Sequence, residues 1–251
     1  MASLKLTYSE VYNQVSDYLG KGLTPAGADL TRMKSITLRA YRKFLYPINP
    51  ATGKHHLWSF LHYPTVLTTI AGQYIYEFPD DFSSLIVSFT STDTQTYINP
   101  IPKSVWQILN MHTIATTVTT SYPQFYAIRA GRYIKEIGQK YEVVFWPEPD
   151  SNYIYEYTYE IEPPALSATT DYFVGGARAS EAILQLALAE AELQEEEKGG
   201  VQYQEAQRIV MAMISADNRN TPKSVGYNGD PSMYPETRGY THISEVTYTT
   251  D

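Results

Sequence analysis

WSFLHYPTVLTTIAGQYIYEFPDDF, Trp58 to Phe82, joins two patterns that do not belong to one kind of element. It opens as a clump of aromatics and histidines. It then settles into an alternating run, Gln73–Phe78, that places Tyr74, Tyr76 and Phe78 on one face before Pro79-Asp80-Asp81 closes it. Period-two alternation stopped by turn residues predicts a half-buried strand. The stretch therefore marks the point where the chain turns from helix to sheet.

Upstream the pattern is helical. Thr7-x-x-Glu10 is a capping box, in which hydroxyl and carboxylate satisfy orphan N–H groups. Val11, Val15, Tyr18 and Leu19 follow at helical spacing, and Gly20 and Gly22 end the helix. A second helix is predicted from near Asp29, with Leu30, Met33, Thr37, Tyr41, Phe44 and Leu45 as its apolar stripe and Pro47 and Pro50 as its stop. It carries Arg32, Lys34, Arg39, Arg42 and Lys43, a large share of the chain's 19 basic residues. Two readings stand: a solvated polar face, or a docking surface for an acidic partner or passing DNA phosphate.

Downstream, Leu85–Phe89, Phe125–Ile128, Arg132–Ile137, Tyr141–Phe145 and Tyr153–Ile161 read as further strands. Pro102–Met111 reads as a short helix with Val105, Trp106 and Leu109 turned inward. Closely spaced strands predict antiparallel pairing in a sandwich or barrel. Ala177–Glu197 and Val201–Ala216, joined at Gly199-Gly200, form an αα-hairpin whose alanines at 182, 187, 189 and 191 permit close helix packing. Glu195-Glu196-Glu197 sits at a helix C-terminus, the unfavourable end for anions, which fits either a cationic partner or a tolerated surface run. Asn218–Asp251 has no helical stripe and closes on the alternating His242–Tyr248, suited to strand addition on a partner.

The expected class is α+β: an antiparallel β-sandwich or barrel-like domain inserted between N-terminal helices and a C-terminal αα-hairpin, with an extended arm. The expected boundaries are 1–57 and 173–217 for the helices, 58–172 for the β domain with its short helix near 102–112, and 218–251 for the arm.

Composition narrows the function. With no cysteine there are no disulfides, thiolate nucleophiles or cysteine-ligated metals. MASLKLTYSE has no long apolar core and no run approaches membrane-spanning length, so a soluble protein of a cytosol-like compartment is expected. A net charge of −8 argues against a sequence-reading nucleic-acid binder but suits a wall that DNA slides past. The 23 tyrosines suit half-buried strands and protein interfaces.

Catalytic constellations do not assemble. His55, His56 and His62 lack a spacing that converges on a metal. Asp80-Asp81 and Glu148/Asp150 sit among prolines and read as turns rather than as paired acids. No nucleophile elbow or phosphate loop is present, and neither cofactor nor catalytic residue is assigned.

The remaining signals resemble a known family. Trp58 and Phe60; Gly72, Tyr74, Tyr76, Phe78, Pro79, Asp81 and Phe82; Pro123, Tyr126, Ala127 and Ile128; Trp146, Pro147 and Pro149; Tyr157 and Tyr159; and Ala187, Ala189 and Glu190 follow in the order seen in head-to-tail adaptors of tailed bacteriophages, the connectors called tail tubular protein A or head-completion adaptor. The resemblance spans most of residues 7–217. It implies a non-enzymatic virion protein at the head–tail junction, assembled in the host cytoplasm as a ring, usually dodecameric. Such a ring joins portal to tail (nozzle, tube or fibre) proteins and surrounds double-stranded DNA.

On that plan Arg32, Lys34, Arg39, Arg42, Lys43, Glu190, Glu192, Glu195, Glu196 and Glu197 are candidates for the subunit or channel interface. Tyr240, Ile243, Val246 and Tyr248 are candidates for portal docking. The rival classes are a virion-associated carbohydrate-binding module, with Trp106 and Trp146 as its platform, and a glycan hydrolase using Asp81 and Glu148.

Overall fold

The structure is a computed structural model that describes residues 4–49, 53–92, 99–114, 119–136, 138–196 and 199–220. The chain divides into a unit of Met1–Asp217 and a second unit of Asn218–Asp251. The expected arm lies outside the described residues beyond position 220.

Helix α1 (Tyr8–Tyr18) starts at the predicted capping box. The Thr7 N–H donates to Glu10 Oε2 at 2.7 Å, and the Glu10 N–H donates back to Thr7 Oγ1 at 3.3 Å. Just past its end Gly20 takes a φ of 70°, a backbone conformation that costs glycine no Cβ clash. Helix α2 (Gly27–Leu45) begins two residues ahead of Asp29, with Ala26 at its cap. It buries Met33, Ile36, Thr37, Ala40, Tyr41, Phe44 and Leu45. These pack with α4 (Gly176–Glu196), α1 and part of α5 (Val201–Asn220) in one core, so helices from both ends of the chain share it. Ala182, Ala187, Ala189 and Ala191 are all buried, as close helix packing requires.

The strands form two sheets. The first has the order β1-β7-β3, from β1 (His62–Thr68), β7 (Ile154–Ile161) and β3 (Phe82–Ser91), all antiparallel. The second has the order β2-β6-β5-β4, from β2 (Ile75–Glu77), β6 (Gly138–Trp146), β5 (Phe125–Ile134) and β4 (Ile101–Pro102). One aromatic core takes side chains from both sheets. Phe89 is its centre, fully buried, with Tyr126 at 4.9 Å, Tyr157 at 5.1 Å and Phe145 at 5.3 Å between ring centroids. Many of the tyrosines are thus core residues, and some of their hydroxyls reach polar partners, Tyr76 the carbonyls of Ile70 and Gln73 and Tyr159 the carboxylate of Asp81.

Several expectations need correction. β4 runs parallel to β5, so the second sheet is mixed rather than wholly antiparallel. One strand, β5, replaces the two expected at Phe125–Ile128 and Arg132–Ile137; an irregularity between Ala130 and Tyr133 disguised its continuity. Tyr74 does not share the face of Tyr76 and Phe78, because β2 begins only at Ile75; its ring stacks on His112 at 4.1 Å instead. The short helix α3 (Val105–Ile114) is present, but Ile108 is its buried residue and Trp106 is 73% exposed. Ile108 lies about 200° around the helix from Trp106, so the two cannot face the same way.

Candidate functional site

The basic face of α2 meets the acidic face of α4 within one chain. Arg32 bonds Glu195 at 2.6 Å, Lys43 pairs with Glu190, and Arg39 stands 3.9 Å from the same carboxylate. Glu190 is almost fully buried, whereas its two cations are half exposed and screened by water. Lys34 takes a third kind of partner, with its ammonium 5.8 Å over the Tyr12 ring. Arg42 is exposed on the same helix and makes no ion pair among the described residues.

Glu192 has a different task. Its buried carboxylate accepts N–H bonds from Gly200 at 3.0 Å and Tyr203 at 3.1 Å, so it caps the start of α5. A Cβ on Gly200 would collide with that carboxylate, which explains the glycine. Glu192 thus satisfies the next helix's N-terminus, and Arg32 offsets the unfavourable place of Glu195 near the C-terminus of α4. Burial, reinforced by Glu192 and Glu196, pushes the Tyr18 phenol above its ordinary pKa. Glu197 lies outside the described residues, as do Tyr240, Ile243, Val246 and Tyr248.

The proline-flanked carboxylates have structural partners. Asp81 accepts from the Tyr159 hydroxyl at 3.0 Å, Asp80 pairs with Lys140 at 2.9 Å, and Asp150 accepts from the Tyr153 hydroxyl. Glu148 stands 3.8 Å from His112, whose other ring nitrogen bonds the Phe145 carbonyl at 2.9 Å. Among the described residues no group of three or more His, Cys, Asp or Glu side chains is placed to hold a metal.

His56 and Asp217 are what the sequence reading missed. The His56 ring lies edge-on to Trp58 at 4.7 Å and its Nε2 meets Asp217 Oδ2 at 2.8 Å. The same carboxylate accepts the Ser59 N–H at 3.1 Å and the Ser59 hydroxyl. Trp58 donates its indole N–H to the Phe44 carbonyl at 2.8 Å and stacks on both Phe44 and Phe60, at 5.0 and 5.3 Å. The one signal for Asp217 was an anion near a helix C-terminus.

Two open apolar grooves lie among the described residues. Trp106, Met111, Ile114 and Trp146 line an open groove with the amides of Gln107 and Asn110 at its side. Leu4, Ile209, Met213 and the alanines at 177, 212 and 216 line another between α4 and α5. No described helix is long and apolar enough to cross a membrane.

The sequence profile described as SU10 adaptor protein matches residues 6–226, and the chain belongs to that family of phage head-to-tail adaptors. Membership makes it a structural connector at the head–tail junction of the virion, in association with portal and tail proteins. No curated protein matches closely enough to add a relative.

Proposed function

We propose that this chain assembles into a ring, dodecameric in the intact particle, that joins portal to tail around the DNA exit channel. The family match over residues 6–226 carries the reading. The helices of 1–57 and 173–217 form the ring wall, the 58–172 domain is a β-sandwich turned toward tail components, and 218–251 is an arm that docks on the portal through Tyr240, Ile243, Val246 and Tyr248. A chain of net charge −8 lets DNA slide past without sticking.

The ion pairs within the chain refine the interface. Arg32, Lys43 and Glu195 already have partners, so neighbouring subunits have Arg42, on the exposed side of α2, and Glu196 to draw on. The outer face of α3, where Trp106 and Ile114 are exposed and no residue of the helix is acidic or a lysine or arginine, fits an apolar protein partner from the tail. Deleting residues 218–251 tests the arm: the truncated chain is expected to fold but to lose its portal in a pull-down, and unchanged binding would refute the docking role.

One observation favours a second reading. Trp106 lies exposed near Trp146, Gln107 and Asn110, the ingredients of a sugar-stacking platform. A glycan array on the wild type and Trp106→Ala decides it, since the adaptor reading expects no glycan signal to be lost.

A further inference from the structure

We propose that Asp217 is a latch that couples the end of α5 to the start of the β domain, so that the two segments hold or release together. The linker between α2 and β1 runs from Tyr46 to Leu61 and ends in a short 3-10 turn, Ser59–Leu61, that feeds straight into β1. Asp217 reaches that turn from the last part of α5. It takes both the N–H and the hydroxyl of Ser59, the first residue of the turn, and Nε2 of His56.

The arrangement is electrostatically demanding. A carboxylate close to a helix C-terminus meets the negative end of the macrodipole, and here it is also largely buried, with 11% of its side chain exposed. It stays there because donors from the linker satisfy it. An ionised carboxylate only accepts, so the His56 tautomer facing it carries its proton on Nε2. Removing those donors takes hydrogen bonds from a largely buried anion; removing the anion takes the acceptor from part-buried donors. Either loss therefore loosens both segments.

The linker is itself pinned elsewhere. The His56 N–H donates to the Pro47 carbonyl at 2.9 Å, and Trp58 binds the last turn of α2. Phe60 lies against Gly175, ahead of α4, where an added Cβ would sit 3.0 Å from its ring. Asp217 thus closes a joint where α2, α4, α5 and the entry to β1 meet. Residues 218–251 begin at the next peptide bond. Whatever takes hold of that segment acts on the latch, and through it on the β domain; this use rests on the docking proposed above, whereas the coupling does not.

Hydrogen exchange on the full-length free chain tests the coupling from both sides. Asp217→Asn is expected to speed exchange in residues 55–61 by about ten-fold or more, and Ser59→Ala to speed it in the last turns of α5, remote in sequence. His56→Gln, which keeps an N–H donor, is expected to leave both segments close to wild type. Amides of β5 and β6 report global stability and should not change. Loosening confined to the mutated segment would overturn the latch, and so would a uniform acceleration that includes β5 and β6. Portal binding retained by the truncated chain, with coupling intact, would refute the docking role and leave the latch standing by itself.

Discussion

Trp58 sits where the rings of Phe44 and Phe60, a carbonyl of α2 and the His56 ring converge, and it is 1% exposed. Trp58→Ala removes that packing and orphans the Phe44 carbonyl, so a loss of about 3–5 kcal/mol is expected in chemical denaturation. The charged residues of α2 separate by partner in the same way. Lys43→Glu sets a like charge against buried Glu190 and should cost about 1–2 kcal/mol, discounted for the exposed side of the pair. Arg42→Glu breaks no ion pair among the described residues and should stay within about 0.5 kcal/mol of wild type while weakening subunit assembly. Thermal melts paired with sedimentation separate the two; equal melting shifts for Lys43→Glu and Arg42→Glu would contradict the assignment.

At the scale of elements, what could be read from the sequence was what repeats locally. The capping box of α1, the stripe of α2 and the alanine positions of α4 each follow from spacing alone, and the structure keeps them. What stayed hidden depended on distant partners. Trp106 was turned inward on account of its hydrophobicity, yet the register of α3 is set by Ile108 against Ala127 and Val144, and the indole is left outside. β4 is two residues long and exists only because β5 offers it an edge. Glu192 reads in the sequence as a candidate for the subunit or channel interface, whereas the structure sets it against the N-terminus of α5. Glu192→Ala should cost about 1–2 kcal/mol through the lost cap and should fray α5 first, visible as early exchange at its N-terminus. The latch at Asp217 stayed hidden behind its one local signal, because Ser59 and His56 lie 158 and 161 residues away from it in sequence.

For the whole molecule, burial of phenols predicts an alkaline limit. Burial holds Tyr8 up to about 12, aided by Tyr12, and holds Tyr157 up to about 12, aided by the charge of Asp81. Tyr155 and Tyr159 are pushed further in the same direction, chiefly by burial. A folded pKa above the ordinary 10 means the folded chain retains protons that the unfolded chain gives up. That contribution is complete below pH about 10 and is lost as pH rises toward 12 and beyond. Melting temperature followed with phenolate absorbance should fall over that interval, and a melt unchanged across it would show the phenols to be less enclosed than they appear.

The central claim concerns assembly, and mass decides it. Light scattering on a sizing column would be run on the chain alone, then with the portal protein of the same phage, with and without residues 218–251. The account predicts a ring-sized complex with about twelve copies of the 28.5 kDa chain on the portal, lost when that segment is removed. A chain that stays monomeric and elutes apart from the portal, whole or truncated, would contradict it.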